Sequence, residues 1–251
     1  MHRRAAKFAK TLVMGKIKDN KQLKPALNKH WYNTMRIWRN IHYKDFGIER
    51  FIRLFLAFSL FLFPGLYIKH FSGKFGLIPR KLSVELYVIF KFLLPLLFFK
   101  LHLTSNIIIV YITIYFTIET VLYLGSMIYL SDIMGNPITY RRSLTMLFIN
   151  YVEIGLGYSV VYFYCNATIP GFFNVKLQSA LQAIYFSFTT SATMGFGDIH
   201  PVTNLCRFLV LSQVMLFFIF VGLFLNFYSS KVHEVSYFNE GHNTEDKEKK
   251  D

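Results

Sequence analysis

The sequence predicts an all-α membrane protein in which two long apolar helices flank one short, non-helical stretch. Three observations carry this reading. The 251 residues are 53% hydrophobic and 18% aromatic, with 28 phenylalanines, more apolar surface than a soluble domain of this length can hide. The apolar residues gather into five runs, and runs of about 20 residues read as membrane spans. Between the last two runs lie residues 190–198, Thr-Ser-Ala-Thr-Met-Gly-Phe-Gly-Asp, small and turn-forming in an otherwise apolar half. Gly195 and Gly197, on either side of Phe196, would each cost about 1 kcal/mol in a helix interior. Glycine also accepts backbone conformations closed to other residues. Non-helical backbone at membrane depth is tolerated only where it is buried in protein or lines an aqueous path. The stretch therefore points to a pore.

Charge is placed unevenly along the chain. Residues 1–53 hold 14 Lys or Arg against Asp19, Asp45 and Glu49, so +11 of the net +14 lies there. Such a segment fits the cytoplasmic side of a membrane, where Lys and Arg accumulate. Nucleic-acid binding is the sharper reading, but no reading module or spaced motif accompanies the charge. Within residues 1–50, Trp31, Met35 and Trp38 fall at helical spacing, with Lys29, Arg36 and Arg39 among them. This is the pattern of a helix in the interface of an anionic leaflet. A loosely ordered basic tail is the alternative. The first apolar run starts near residue 51, so no secretory signal peptide is expected.

The runs cover residues 51–68, with Pro64 near the end; 84–101, with Glu85, a central Lys91 and Pro95; 106–131, with Glu119; 143–165, with Glu153; and 204–230. At least four are long and apolar enough to form a helix that crosses about 30 Å of hydrocarbon. Glu119 and Glu153 are carboxylates at membrane depth and functional candidates on that ground. Hydrogen-bonded structural residues are the plain alternative. Cys165 and Cys206 are too few for a disulfide scaffold. One disulfide between them is the alternative to two free thiols.

Between the last two runs, Pro170-Gly171 ends one helical region. Ser179 and Gln182 then fit a capping box. A helix from about residue 180 to 190 would be some 16 Å long, about half the hydrocarbon core, so it must dip in rather than span. Its negative end would face the membrane centre, where it favours a cation. Thr203 stands where it can cap the final helix.

Thr193-Met194-Gly195-Phe196-Gly197-Asp198 resembles the selectivity filter of the potassium channel family, usually written T-V-G-Y-G-D. Tyr185-Phe186-Ser187-Phe188 is similar to that family's pore-helix ending. Asp198-Ile199-His200-Pro201-Val202-Thr203 is similar to its D-I-x-P-x-T exit, and Leu205-Cys206-Arg207 to the start of its inner helix. The resemblance covers roughly residues 145–230, the two-transmembrane pore module of bacterial-like channels. It implies a tetrameric pore module of outer helix, pore helix, filter and inner helix, preceded here by additional transmembrane helices. It implies that backbone carbonyls of Thr193, Met194, Gly195, Phe196 and Gly197 replace the water shell of K+, the permeant ion, with the Thr193 hydroxyl as the innermost ring. One filter per chain then implies a homotetramer. Asp198, Tyr185 and Thr190 become filter supports.

The departures from the family pattern matter. Phe196 stands for the commoner tyrosine and lacks its hydroxyl. Ala192 stands for a threonine. Thr189 stands where many members place an acid that braces the filter aspartate. Tyr185 is then the remaining donor to Asp198, and a less braced, more inactivation-prone filter is expected. The family's gating glycine falls on Phe217. Gly222 is the remaining flexible candidate, with close helix packing as its plain alternative. Asn226 and Ser229 are expected near the inner mouth, while Ser212 and Gln213 are polar residues within the span that can hydrogen-bond inside the bundle.

A pore module of this kind runs its outer helix from cytoplasm to exterior, and Arg141-Arg142 before residues 143–165 agree with that. The basic amino terminus also belongs in the cytoplasm, so one of the first three runs must fail to cross. Residues 84–101 are the weakest, because Lys91 stands mid-run without an obvious partner and a central lysine costs about 3 kcal/mol. Four spans are expected, with 84–101 interfacial or re-entrant on the outer side. Five spans with an exported basic arm are the alternative. The organisation is then 1–50, a basic cytoplasmic segment; 51–135, membrane helices; 143–230, the pore module; and 231–251, a short charged cytoplasmic tail.

The function expected is passive, potassium-selective conduction by a multi-pass protein of the cell membrane, with K+ and no organic cofactor. Its partners are its own copies and membrane lipids, anionic ones through residues 1–50, and not nucleic acid. A weakly selective monovalent cation channel and a non-conducting regulatory subunit are the alternatives. No run carries Arg or Lys at every third position, so an arginine voltage sensor is not indicated. No nucleophile triad or metal-ligand cluster is visible, and no enzymatic activity is expected.

Overall fold

The computed structural model describes residues 25–40, 45–130 and 140–232. The first part of the basic arm, the tail beyond residue 232 and the side chains of Asn226 and Ser229 lie outside the described residues. The described chain is helical throughout its regular structure: α1 (Ala26–Arg39), α2 (Gly47–Ser59), α3 (Pro64–Ser72), α4 (Leu77–Lys100), α5 (Ile107–Tyr129), α6 (Tyr140–Thr168), α7 (Ala180–Ser191) and α8 (Asn204–Val232).

Local chemistry sets the boundaries. α1 closes on Asn40 at φ 53°, whose amide donates to the carbonyls of Arg36 and Ile37, a left-handed cap that asparagine accepts. After α2 the chain reaches Phe63, extended because a residue before proline is pushed out of the helical region. Pro64 then opens α3 at its first turn, where a missing N–H costs nothing. The run 51–68 is therefore not one rod. Gly47–Leu62 and Pro64–Phe75 are bent by 66°.

Among the described residues, four helices carry segments long and apolar enough to cross a membrane, Ile78–Lys100, Ile107–Tyr129, Arg142–Thr168 and Asn204–Leu223, and the bent pair would make a fifth if it is one span. The sequence reading makes 84–101 the weakest run. That run lies in a single continuous helix, and the broken run is 51–68. Pro64 explains the break, and Lys91 proves to be partnered.

The chain forms two compact units, Met1–Lys91 with Ile118–Gly135, and Phe92–Thr117 with Asn136–Asp251. In the first, Ile37, Leu56, Ala57 and Leu130 form the apolar centre. Arg53 and Asp45 make a buried ion pair at 3.2 Å. Lys91 donates to Thr120 Oγ1 at 2.6 Å and lies 3.9 Å from Glu119 Oε2. The Tyr87 hydroxyl donates to the same Glu119 oxygen at 2.5 Å, and the Tyr87 ring lies 5.3 Å beneath the ammonium. A Cβ on Gly65 would stand 3.1 Å from Glu119 Oε1. The carboxylate thus sits against the first turn of α3, where the positive end of a helix favours it.

In the second unit, Tyr162, Phe172, Phe173, Leu177, Ala183, Phe186 and Cys206 form the core that seats α7 between α6 and α8. Cys165 and Cys206 are free thiols. The Phe172 and Phe173 side chains belong to the connection after α6, so the core also anchors the loop that leads to α7.

Candidate ion-conduction site

α7 has 12 residues and is about 18 Å long, short of a span. Its start carries the capping box read from the sequence: Ser179 accepts from the Gln182 amide, and Gln182 Oε1 accepts from the Ser179 and Gln178 amides. Gly155 of α6 lets the helix come close. A Cβ there would meet the Phe188 ring at 3.0 Å. The Gly155 carbonyl accepts from Ser187 Oγ at 2.6 Å.

The chain leaves α7 through a tight turn. The amides of Ala192, Thr193 and Met194 donate to the carbonyls of Phe188, Thr190 and Thr189 at 2.9, 3.0 and 2.9 Å. These bonds hold the last turn of α7 to the head of the filter-like stretch, and they fix Thr190 at the junction. Beyond it the sign of φ alternates. Thr193, Gly195 and Gly197 are positive at 53°, 55° and 84°, while Met194 and Phe196 between them are not. Thr193 is the costly member, since a β-branched residue rarely accepts this region.

Tyr185 lies on α7 beside the filter-like stretch. Its ring stacks on Phe196, 6.2 Å between centroids and 6° from parallel. Its hydroxyl hydrogen-bonds the Asp198 carboxylate. Thr189 does not substitute for an acid. Its hydroxyl donates back to the Tyr185 and Phe186 carbonyls of its own helix. Thr203 caps α8, accepting from the Cys206 amide at 3.2 Å.

Two further features complete the site, and of these the sequence reading anticipated only that Gln213 can hydrogen-bond inside the bundle. The first is a buried polar hub behind the turn. Gln213 of α8, 2% exposed, donates through Nε2 toward the Ser187 carbonyl, Ser187 Oγ and Ser191 Oγ at 2.9, 2.8 and 2.6 Å. Its Oε1 accepts from the Tyr162 hydroxyl of α6 at 2.8 Å. Tyr158 and Ser212 add a second α6–α8 bond at 2.8 Å. Gln213 and Ser212 are therefore bundle hydrogen bonders. The second feature is Asn174, in the α6–α7 connection. Its amide, Nδ2 and Oδ1 bond to the His200 carbonyl, the Asp198 carbonyl and the His200 amide, at 3.2, 2.9 and 2.8 Å.

The gating candidates lie on an unbroken α8. Phe217 packs at 6.2 Å from Tyr151, whose ring also stacks on Phe220 at 4.3 Å. A Cβ on Gly222 would meet nothing within 4 Å, so within one chain this glycine is not held by close packing. Glu153 is buried on α6, and Glu119 belongs to the Lys91 cluster. Met194 and Phe196 are 64% and 66% exposed in the single chain. No metal-ligating group of three or more His, Cys, Asp or Glu occurs among the described residues.

No curated protein and no solved structure matches the chain. The stretch from mid-α6 through α7 and the turn to the end of α8, residues 151–234, matches the family model described as an ion channel, and with the four long apolar helices this makes the chain similar to multi-pass ion-channel proteins.

Proposed function

We propose that the chain is a potassium-selective channel that conducts K+ passively through a homotetramer in the cell membrane. The observation that carries this reading is the alternation of φ along Thr193–Gly197 directly after a half-length, capped helix. Alternating handedness turns successive peptide planes the same way and keeps their carbonyls on one side of the chain. Four such chains around an axis offer rings of oxygens that replace a cation's water shell. The exposure of Met194 and Phe196 supports the tetramer, because both are apolar side chains that neighbouring copies would cover. K+ would contact the carbonyls of Thr193, Met194, Gly195 and Phe196.

A weakly selective cation channel is the second reading. The back-bonding of Thr189 favours it, because the filter-side aspartate then has Tyr185 and no acid from α7 to brace it. Lipid contact belongs to the same proposal. Trp31 and Trp38 are exposed on α1 beside Arg36 and Arg39, the composition of an interfacial helix on an anionic leaflet.

Vesicles reconstituted with the protein and loaded with potassium test these readings. Uptake of rubidium that sodium leaves unaffected is expected. Equal competition by sodium would replace potassium selectivity with general cation conduction, and a folded tetramer without flux would make the protein a non-conducting subunit.

A further inference from the structure

We propose that Asn174, outside the filter-like stretch, is the residue that positions its outer exit and so sets its selectivity. This rests on the channel reading above. Asn174 lies 24 and 26 residues before its partners, Asp198 and His200, and binds both. Its Nδ2 donates to the Asp198 carbonyl at 2.9 Å, and its Oδ1 accepts from the His200 amide at 2.8 Å. Its own amide donates to the His200 carbonyl at 3.2 Å.

The chemistry explains the residue type. One partner is a carbonyl and the other an N–H, so the side chain must offer a donor and an acceptor side by side. A carboxamide does this. A carboxylate cannot donate to the Asp198 carbonyl, and an apolar side chain can do neither. The arrangement is also anchored. Phe172 and Phe173, immediately before Asn174, are buried in the core. Phe173 forms an antiparallel bridge with Pro201, and the Val202 amide donates to the Phe172 carbonyl at 3.2 Å. The clamp therefore ties the exit to the packed core.

What it holds is close to the conduction path. His200 Nδ1 lies 3.2 Å from the carbonyl of Gly197, the last residue of the alternating stretch. Asp198 is the residue that Tyr185 bonds from the other side. With Thr189 turned back on its own helix, the exit is held by Tyr185 from α7 and by Asn174 from the loop. Asn174 is a positioning residue in this scheme and touches no ion.

The test compares the full-length protein with Asn174→Leu, which removes both side-chain bonds, and Asn174→Asp, which keeps the acceptor for the His200 amide. Amide hydrogen exchange and sodium competition against rubidium uptake are both read in reconstituted vesicles. Asn174→Leu is expected to speed exchange at His200 about tenfold while leaving the α7 amides protected, and to let sodium compete severalfold more strongly. Asn174→Asp should protect His200 and show intermediate competition, because the Asp198 carbonyl has lost its donor. Unchanged exchange in Asn174→Leu overturns the clamp. Faster exchange with unchanged competition reduces Asn174 to a structural residue and also overturns the proposal. If Asn174→Leu does not fold, Asn174→Asp decides, since wild-type competition in that variant overturns it. If the wild-type protein carries no flux, the channel reading fails, and the exchange arm alone decides whether Asn174 holds the exit.

Discussion

Gln213 brings three helices to one point. Its carboxamide is buried, and every bond it makes goes to a residue of α6 or α7. A buried polar group costs little while it is paired and much when it is not. Gln213→Leu would orphan the Tyr162 hydroxyl and strip the Ser187 carbonyl and Ser191 hydroxyl of their donor. The expected loss is about 1–3 kcal/mol, read as a lower thermal midpoint in detergent micelles. Tyr162→Phe in the same background should add less than it costs alone, since the hydroxyl it removes already lacks a partner. Gly197 makes a different residue-scale prediction. It sits at φ 84° with open space where a Cβ would go, so Gly197→Ala meets no clash within the chain. The cost is conformational, about 1–2 kcal/mol, and relieving it turns the peptide carbonyl out of line. Rubidium uptake should collapse while the helical circular dichroism is retained.

At the scale of elements, the sequence was most informative where the signal is local. Apolar runs, Pro64, the Ser179–Gln182 box and the Thr203 cap all act within a few residues, and the helices end close to where these signals place them. The side-chain hydrogen-bond partners of Lys91, Gln213 and Asn174 lie 22 to 51 residues away, and no local pattern points to them. That is why Lys91 reads as a lone charge in the sequence and as a member of a cluster with Tyr87, Glu119 and Thr120 in the structure. Lys91→Met should leave the Glu119 carboxylate without its cation and cost about 3 kcal/mol. Adding Glu119→Gln should recover most of that loss, because the uncompensated charge is gone. A thermal-stability double-mutant cycle in micelles measures both. His30 supplies a pH test for α1. Its Nε2 donates to the Ala57 carbonyl at 2.9 Å. Burial lowers its pKa below the usual 6.5, the Ala57 bond opposes this, and Lys69 adds to it. The unfolded chain then holds the proton more tightly. Its contribution to stability is complete above pH 6.5 and falls as pH drops below that value toward the lower folded pKa. His30→Gln should flatten this part of the midpoint-against-pH curve.

At the scale of the whole molecule, the open question in the sequence is which apolar run does not cross. The 66° bend points to residues 47–75, whose two helices make either one broken span or a re-entrant loop. The Gly47–Leu62 part is about 24 Å long, below the roughly 30 Å of the hydrocarbon core. The buried Arg53–Asp45 pair is a further burden for a span. Lys69, Lys74, Arg80 and Lys81 cluster at the following turn, as expected for a cytoplasmic connection. On the proposed channel reading, with the filter exit outside, crossings at α4, α5, α6 and α8 would return residues 25–75 to the cytoplasm. Three arrangements are then separable with two cysteines, in a chain whose Cys165 and Cys206 are replaced by alanine. If α2–α3 lies at the inner face, neither Asn40→Cys nor Lys74→Cys reacts with an impermeant maleimide on intact cells, and Ser105→Cys does. If 51–68 crosses and 84–101 does not, Lys74→Cys reacts. If all five runs cross, Asn40→Cys reacts and Lys74→Cys does not. The expected pattern is silence at 40 and 74 with labelling at 105, and reaction at either of the first two positions would overturn the four-span arrangement built on α4.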